Sequence, residues 1–191
     1  MSDKPAVDCA GEANGVLVLG LGNVLLGDDG AGAAAVARIE RDYHVPPGVR
    51  LEDGGTLGLS LLGLLAESEH VILVDAVRTD SPPGTLVRLD GADVMDAVYE
   101  RLSTHQVGVA DLLEAARFID RYPATVVLLG LVPDVIDLAV VRSSAVDAGL
   151  DALVAAIVHE LKSLGHNLVH ESQTTTGRHR PIHSLTRHFG M

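Results

Sequence analysis

The chain has 191 residues, 47% of them apolar and 3% aromatic, with a formal net charge of −12. That length suits one domain with a sizeable core, and the acidic balance argues against nucleic acid or an anionic membrane as a partner. The lone cysteine, Cys9, leaves no disulfide framework and no thiolate metal cage; with no segment of membrane-span length and no signal peptide, a cytoplasmic location is expected.

Residues 1–14 read as a loose leader, residues 15–165 as the domain, and residues 166–191 as a His-rich tail. Within the domain, Val16–Leu21 is a continuous apolar run, the mark of a buried strand. GNVLLGDDGAG then turns the chain into a helix from Asp28 to about Tyr43. A second strand is read at Val49–Glu52, and DGGT at 53–56 leads to a helix over Leu57–Ala66. Val71–Val74 is a third buried strand ending at Asp75. The Ser-Pro-Pro-Gly turn at 81–84 introduces a fourth at Thr85–Leu89. Thr104 caps a helix running to about Ile119, and Thr125–Leu131 is the fifth strand. In the last helix, Ser144 to Leu164, Val146, Leu150, Leu153, Ile157 and Leu161 draw one apolar stripe, read as core. Apolar strands alternating with helices predict an α/β fold: a single three-layer domain, with a mainly parallel five-stranded twisted sheet and helices on both faces.

The tail lacks apolar periodicity and is expected to be mobile. It holds His166, His170, His179, His183 and His188. The first and second pairs of these stand four apart, a spacing that shares a helix face and can bind nickel or zinc; the plainer reading is coincidence.

In an open parallel sheet, ligands sit beyond the carboxyl ends of the strands. Strand one leads to Asp28 and Asp29, strand two to Asp53 and strand three to Asp75, while His105 stands at the first turn of a following helix. Two carboxylates and an imidazole can hold a borderline divalent metal. Each residue also has a plainer reading. One of Asp28 and Asp29 can be a helix cap, Asp53 a turn aspartate bonded to its own backbone, and His105 a polar residue at a helix start. Asp75 is harder to dismiss, because a lone carboxylate at the rim of a buried strand is costly unless paired or ligated. A helix N-terminus ordinarily attracts an anion, yet here carboxylates already occupy it, which favours a cation over a nucleotide. Leu25 stands where GxGxxG needs its third glycine, and neither GK[ST] nor GxSxG occurs.

GLGNVLLGDDGAG at 20–32, EDGGT at 52–56, VDA at 74–76 and THQVGVADLL at 104–113 resemble, in order and spacing, the [NiFe]-hydrogenase maturation endopeptidases. The likeness covers roughly residues 15–165. It implies a cytoplasmic endopeptidase that removes the C-terminal extension of a hydrogenase large-subunit precursor once nickel has been inserted. The new C-terminus then folds inward and closes the metal centre. The family's nickel-recognising trio falls on Asp29, Asp75 and His105, with Asp29 standing where relatives often carry Glu. Its acid after the second strand falls on Asp53. Nickel would arrive with the substrate and act as the recognition element. Aspartyl-type, metal-assisted hydrolysis is expected, with Asp29, Asp53 and Asp75 as the catalytic carboxylates and Asp53 or a neighbour as general base. Two alternatives are a non-catalytic nickel-binding chaperone of the same precursor and a nucleotide-binding regulator.

Overall fold

The computed structural model describes residues 15–100 and 107–174. Its main sheet has strands β1 (Val16–Leu21), β3 (Val49–Gly55), β4 (His70–Ala76), β5 (Leu86–Asp90) and β6 (Thr125–Leu131), in the order β3-β1-β4-β6-β5. The first, third, fourth and sixth strands run parallel, and β5 pairs antiparallel with β6 along the edge. The proline-rich turn explains the reversal: Gly84 N–H donates to the Val132 carbonyl and Val132 N–H to that of Thr85, so the chain re-enters beside the end of β6. The five strands and the mainly parallel sheet match expectation.

Both faces are covered, as full burial of β1 requires. Because side chains alternate along a strand, Leu17, Leu19 and Leu21 face one layer while Val16 and Val18 face the other. The first layer holds α2 (Leu62–Ala66), α3 (Ala92–Glu100) and α4 (Val107–Phe118). The second holds α1 (Ala31–Asp42) and α5 (Ser144–Ser163). All five stripe residues of α5 are buried, which bears out their reading as core. Helix α3 was not anticipated; Val94 and Val98 pack it onto the sheet. Thr104 and residues 101–106 lie outside the described residues, so the cap expected there does too.

Gly32 sets how closely α1 approaches. A Cβ there would come within 2.1 Å of the Val74 carbonyl oxygen and 2.5 Å of that of Leu21. Glycine at this position therefore lets the helix sit directly on β1 and β4.

The sequence reading also did not foresee a small second sheet. In it β2 (Tyr43–His44) pairs antiparallel with β7 (Val169–His170), ahead of a short α6 (Glu171–Thr174). The Tyr43 and His170 rings meet edge-on at 4.9 Å. His166 and His170 do not share a helix face, because α5 ends beforehand at Ser163, followed by Gly165, whose φ of +90° suits a helix terminator. The leader with Cys9, and His179, His183 and His188, lie outside the described residues. Among the described residues no helix is long and apolar enough to cross a membrane.

Candidate functional site at the carboxyl edge

The loop after β1 runs through Gly22 and Asn23 into a single 3-10 turn, Gly27–Gly30, which delivers Asp28 and Asp29 to α1. Neither aspartate caps that turn or the helix, contrary to the reading that one of them does; the cap positions are Leu26 and Gly30. The reason is that both carboxylates are drawn elsewhere.

Asp28 is 1% exposed and reaches across to the loop that joins β6 to α5. Its Oδ2 accepts from Asp134 N–H at 2.8 Å and Val135 N–H at 3.0 Å, and its Oδ1 from Ser143 N–H at 2.6 Å. Burial alone pushes this carboxyl up, but the backbone donors of Ser143, Val135 and Asp134, with the Ser143 hydroxyl, outweigh it and hold the pKa below the usual carboxylate range. Ser143 in turn caps α5 by accepting from Val146 N–H at 3.3 Å. The two loops also pair directly: Gly27 N–H donates to the Ala139 carbonyl at 2.7 Å, and Ala139 N–H to that of Leu25 at 2.9 Å. Asp28 is thus a structural staple.

Asp29 is 4% exposed, and its Oδ2 accepts from Asn23 N–H at 2.7 Å, closing the turn on itself. Asp75 ends β4 at 8% exposure, with Oδ1 accepting from Ala76 N–H at 2.8 Å. Gly22 lies between these two positions. A Cβ built on it would fall 1.8 Å from the Asp29 carbonyl oxygen and 3.4 Å from Asp75 Oδ1. Its φ of +101° lies where side-chain-bearing residues are strained. Sequence positions 29 and 75 therefore close on one glycine at the carboxyl edge. Asp75 also borders a hollow of about 10 Å³, lined by Leu21, Leu73, Val77, Val98 and Val109 among others. Val109 belongs to the first turns of α4, so the helix that follows the His105 segment starts beside Asp75.

Asp53 sits opposite Gly20 in the register of β1 and β3, at the same edge. It is exposed, and its Oδ1 accepts from Gly55 N–H at 3.0 Å, which is the turn-aspartate geometry weighed as its plainer reading. Gly22 N–H donates to the Gly55 carbonyl at 3.1 Å, tying that turn to the same glycine. His105 lies outside the described residues. Among the described residues no cluster of three His, Cys, Asp or Glu side chains is arranged to hold a metal ion.

Sequence reasoning missed the loop from Val132 to Arg142 as the second wall of this edge. Its only signal was an apolar run, LVPDVIDLAVV, continuing past the end of a strand into residues too polar-flanked for a helix.

A family model described as hydrogenase maturation protease matches residues 33–160. The hydrogenase 2 maturation protease of Escherichia coli (strain K12) is 34% identical over 151 residues, covering 78% of this chain and 92% of that protein. The hydrogenase expression/formation protein HupD of Rhodobacter capsulatus is 40% identical over 152 residues, covering 78% of this chain and 72% of that one. The solved structure of the hydrogenase maturating endopeptidase HybD from E. coli superposes with a TM-score of 0.81 at 32% identity, covering 83% of this chain and 99% of that one. A [NiFe] hydrogenase maturation protease HybD from Thermococcus kodakarensis gives a TM-score of 0.62 at 29% identity, covering 77% of this chain and 98% of that one. With a matching family model over most of the chain and the same fold as a solved relative, the chain belongs to the hydrogenase maturation proteases and is a peptidase.

Proposed function

We propose that this peptidase removes the C-terminal extension from the precursor of a [NiFe]-hydrogenase large subunit after nickel insertion, with Asp29, Asp75 and His105 reading the nickel that the substrate carries. The observation that carries the reading is the closure of positions 29 and 75 on Gly22, in a family of hydrogenase maturation proteases. The T. kodakarensis relative is itself described as a [NiFe] hydrogenase maturation protease. A non-catalytic chaperone does not fit a peptidase family. The nucleotide reading draws no support from a family of proteases. The cut is placed in the cytoplasm, before the large subunit is closed and assembled.

The chemistry needs three things from this chain. Carboxylates at 29 and 75 hold the loaded centre in place, so a precursor without nickel lacks the ligand that the site tests for. A carboxylate at the solvent side accepts a proton from water as its oxygen adds to the scissile carbonyl, and returns it to the leaving amine as the C–N bond breaks. Asp53 suits that role: it is exposed at the edge and tied to Gly22 through its turn. The substrate's metal polarises the carbonyl.

The test is to incubate the purified protein with nickel-loaded and nickel-free precursor and follow the precursor's C-terminus by mass spectrometry. Mass loss from the loaded form alone is expected. No loss from either form, or equal loss from both, contradicts the proposal.

A further inference from the structure

Above the stapled edge stands a group of apolar side chains that the core does not use. Leu138 is 81% exposed and Val140 77%; Val135 and Val141 on the same loop, and Val24 and Leu25 on the loop after β1, are more than half exposed as well. The two loops form one surface, joined by the Asp28 carboxylate and by the paired backbone at Leu26 and Ala139. The surface is continuous with the candidate site: Asp29 follows Asp28 in the same turn, and a Cβ on Gly30 would lie 3.0 Å from the Val24 Cα. A fixed apolar patch risks aggregation and contributes nothing to folding, so its retention marks a place where another surface is received. Its charges narrow the occupant. Among the exposed or half-buried charges in or beside it, Asp134, Asp137 and Asp147 outnumber Arg78 and Arg142, and Arg142 is engaged with Asp147 at 2.8 Å.

We infer that this platform receives an apolar segment of the precursor flanked by Lys or Arg side chains, and so positions the extension for cleavage. The inference rests on the proposed function for the identity of the partner, but a binding measurement tests the two apart. The Leu138→Asp/Val140→Asp double variant, with Leu138→Ser/Val140→Ser as a milder pair, is compared with wild type and with Phe118→Ser. Phe118 is the 90%-exposed side chain at the far end of α4. Thermal melts confirm folding, which is expected because both positions are solvent-exposed. Binding of nickel-loaded precursor and the kinetics of its cleavage are then measured. The double variants are expected to raise Kd and KM about tenfold or more while kcat stays within about twofold, as loss of a docking anchor does. Phe118→Ser is expected to match wild type. Asp134→Asn/Asp137→Asn is expected to weaken binding about threefold and to flatten its salt dependence.

Wild-type Kd and KM in the folded double variants overturn the platform while leaving the proposed function intact. Binding by wild type without cleavage, lost in the double variants, upholds the platform and removes the cut. Precursor that neither binds nor is cut sinks both. Sedimentation showing a wild-type dimer that Leu138→Asp/Val140→Asp dissociates assigns the platform to a second copy, and the inference falls.

Discussion

The face of the sheet under α5 and its carboxyl edge are built on opposite rules. Under α5, Val146, Leu150, Leu153, Ile157 and Leu161 are buried, and the charged Glu160 of α5 is paired with Arg88 of β5. At the carboxyl edge, Asp28, Asp29 and Asp75 are the buried residues, while Leu138 and Val140 face solvent. Burying a carboxylate opposes folding unless donors compensate it, and exposing aliphatic side chains contributes nothing to folding. The inversion coincides with the candidate site. It also separates the three buried aspartates. Asp28 accepts from three backbone donors on a distant loop, whereas Asp29 and Asp75 each accept from a backbone N–H close by in the chain, beside Gly22.

If the two regions differ in this way, changes at Asp53 and Asp75 impair function at little cost to stability, and changes under α5 do the reverse. The largest expected effect is from Asp75→Ala: precursor processing lost, with a melting temperature near wild type. A processing gel showing near-normal cleavage breaks the site assignment. Next comes Asp53→Asn, which removes a proton acceptor and is expected to lower kcat about a hundredfold with KM nearly unchanged, as steady-state kinetics will show. An equal rise in KM with kcat intact would make Asp53 a docking residue instead. Leu153→Ala, under α5, is expected to cost about 2–5 kcal/mol in urea unfolding, with activity per folded molecule preserved.

Asp28→Asn sharpens the distinction between adjacent aspartates. It leaves a neutral amide facing three N–H donors and is expected to cost about 1–3 kcal/mol by the same measurement. Its sign with pH is fixed by the lowered pKa. A carboxyl whose folded pKa lies below its unfolded value stabilises the protein above the unfolded value, and that contribution is lost as pH falls through the folded one. The wild-type advantage over Asp28→Asn should therefore be full at neutral pH and shrink in the acid range. An advantage that grows on acidification contradicts the staple.

The sequence made the layers legible because their signal is local. Unbroken apolar runs such as Val16–Leu21 and Thr125–Leu131 cannot be half-exposed strands, and the α5 stripe has only one buried face to give. The strand ends then placed Asp53 and Asp75 at one edge. What stayed hidden was long-range. The antiparallel course of β5 is decided by which neighbour its turn meets, and the pairing of Tyr43–His44 with Val169–His170 joins residues far apart in the chain. The destination of the Asp28 carboxylate, more than a hundred residues ahead, leaves no trace in the spacing of GDDG. A helix cap was therefore the natural reading and the wrong one. Asp53 shows the converse: its DGG context already pointed to the turn bond that the structure contains.

The account turns on Asp29 and Asp75 acting together on the substrate's nickel, and X-ray absorption at the nickel edge reads that directly. The loaded precursor is measured alone and again in complex with this protein, complex formation being verified on the same sample. The account predicts that the nickel gains oxygen or nitrogen donors in the complex and that Asp75→Ala prevents the gain. An unchanged nickel spectrum in a verified complex contradicts it.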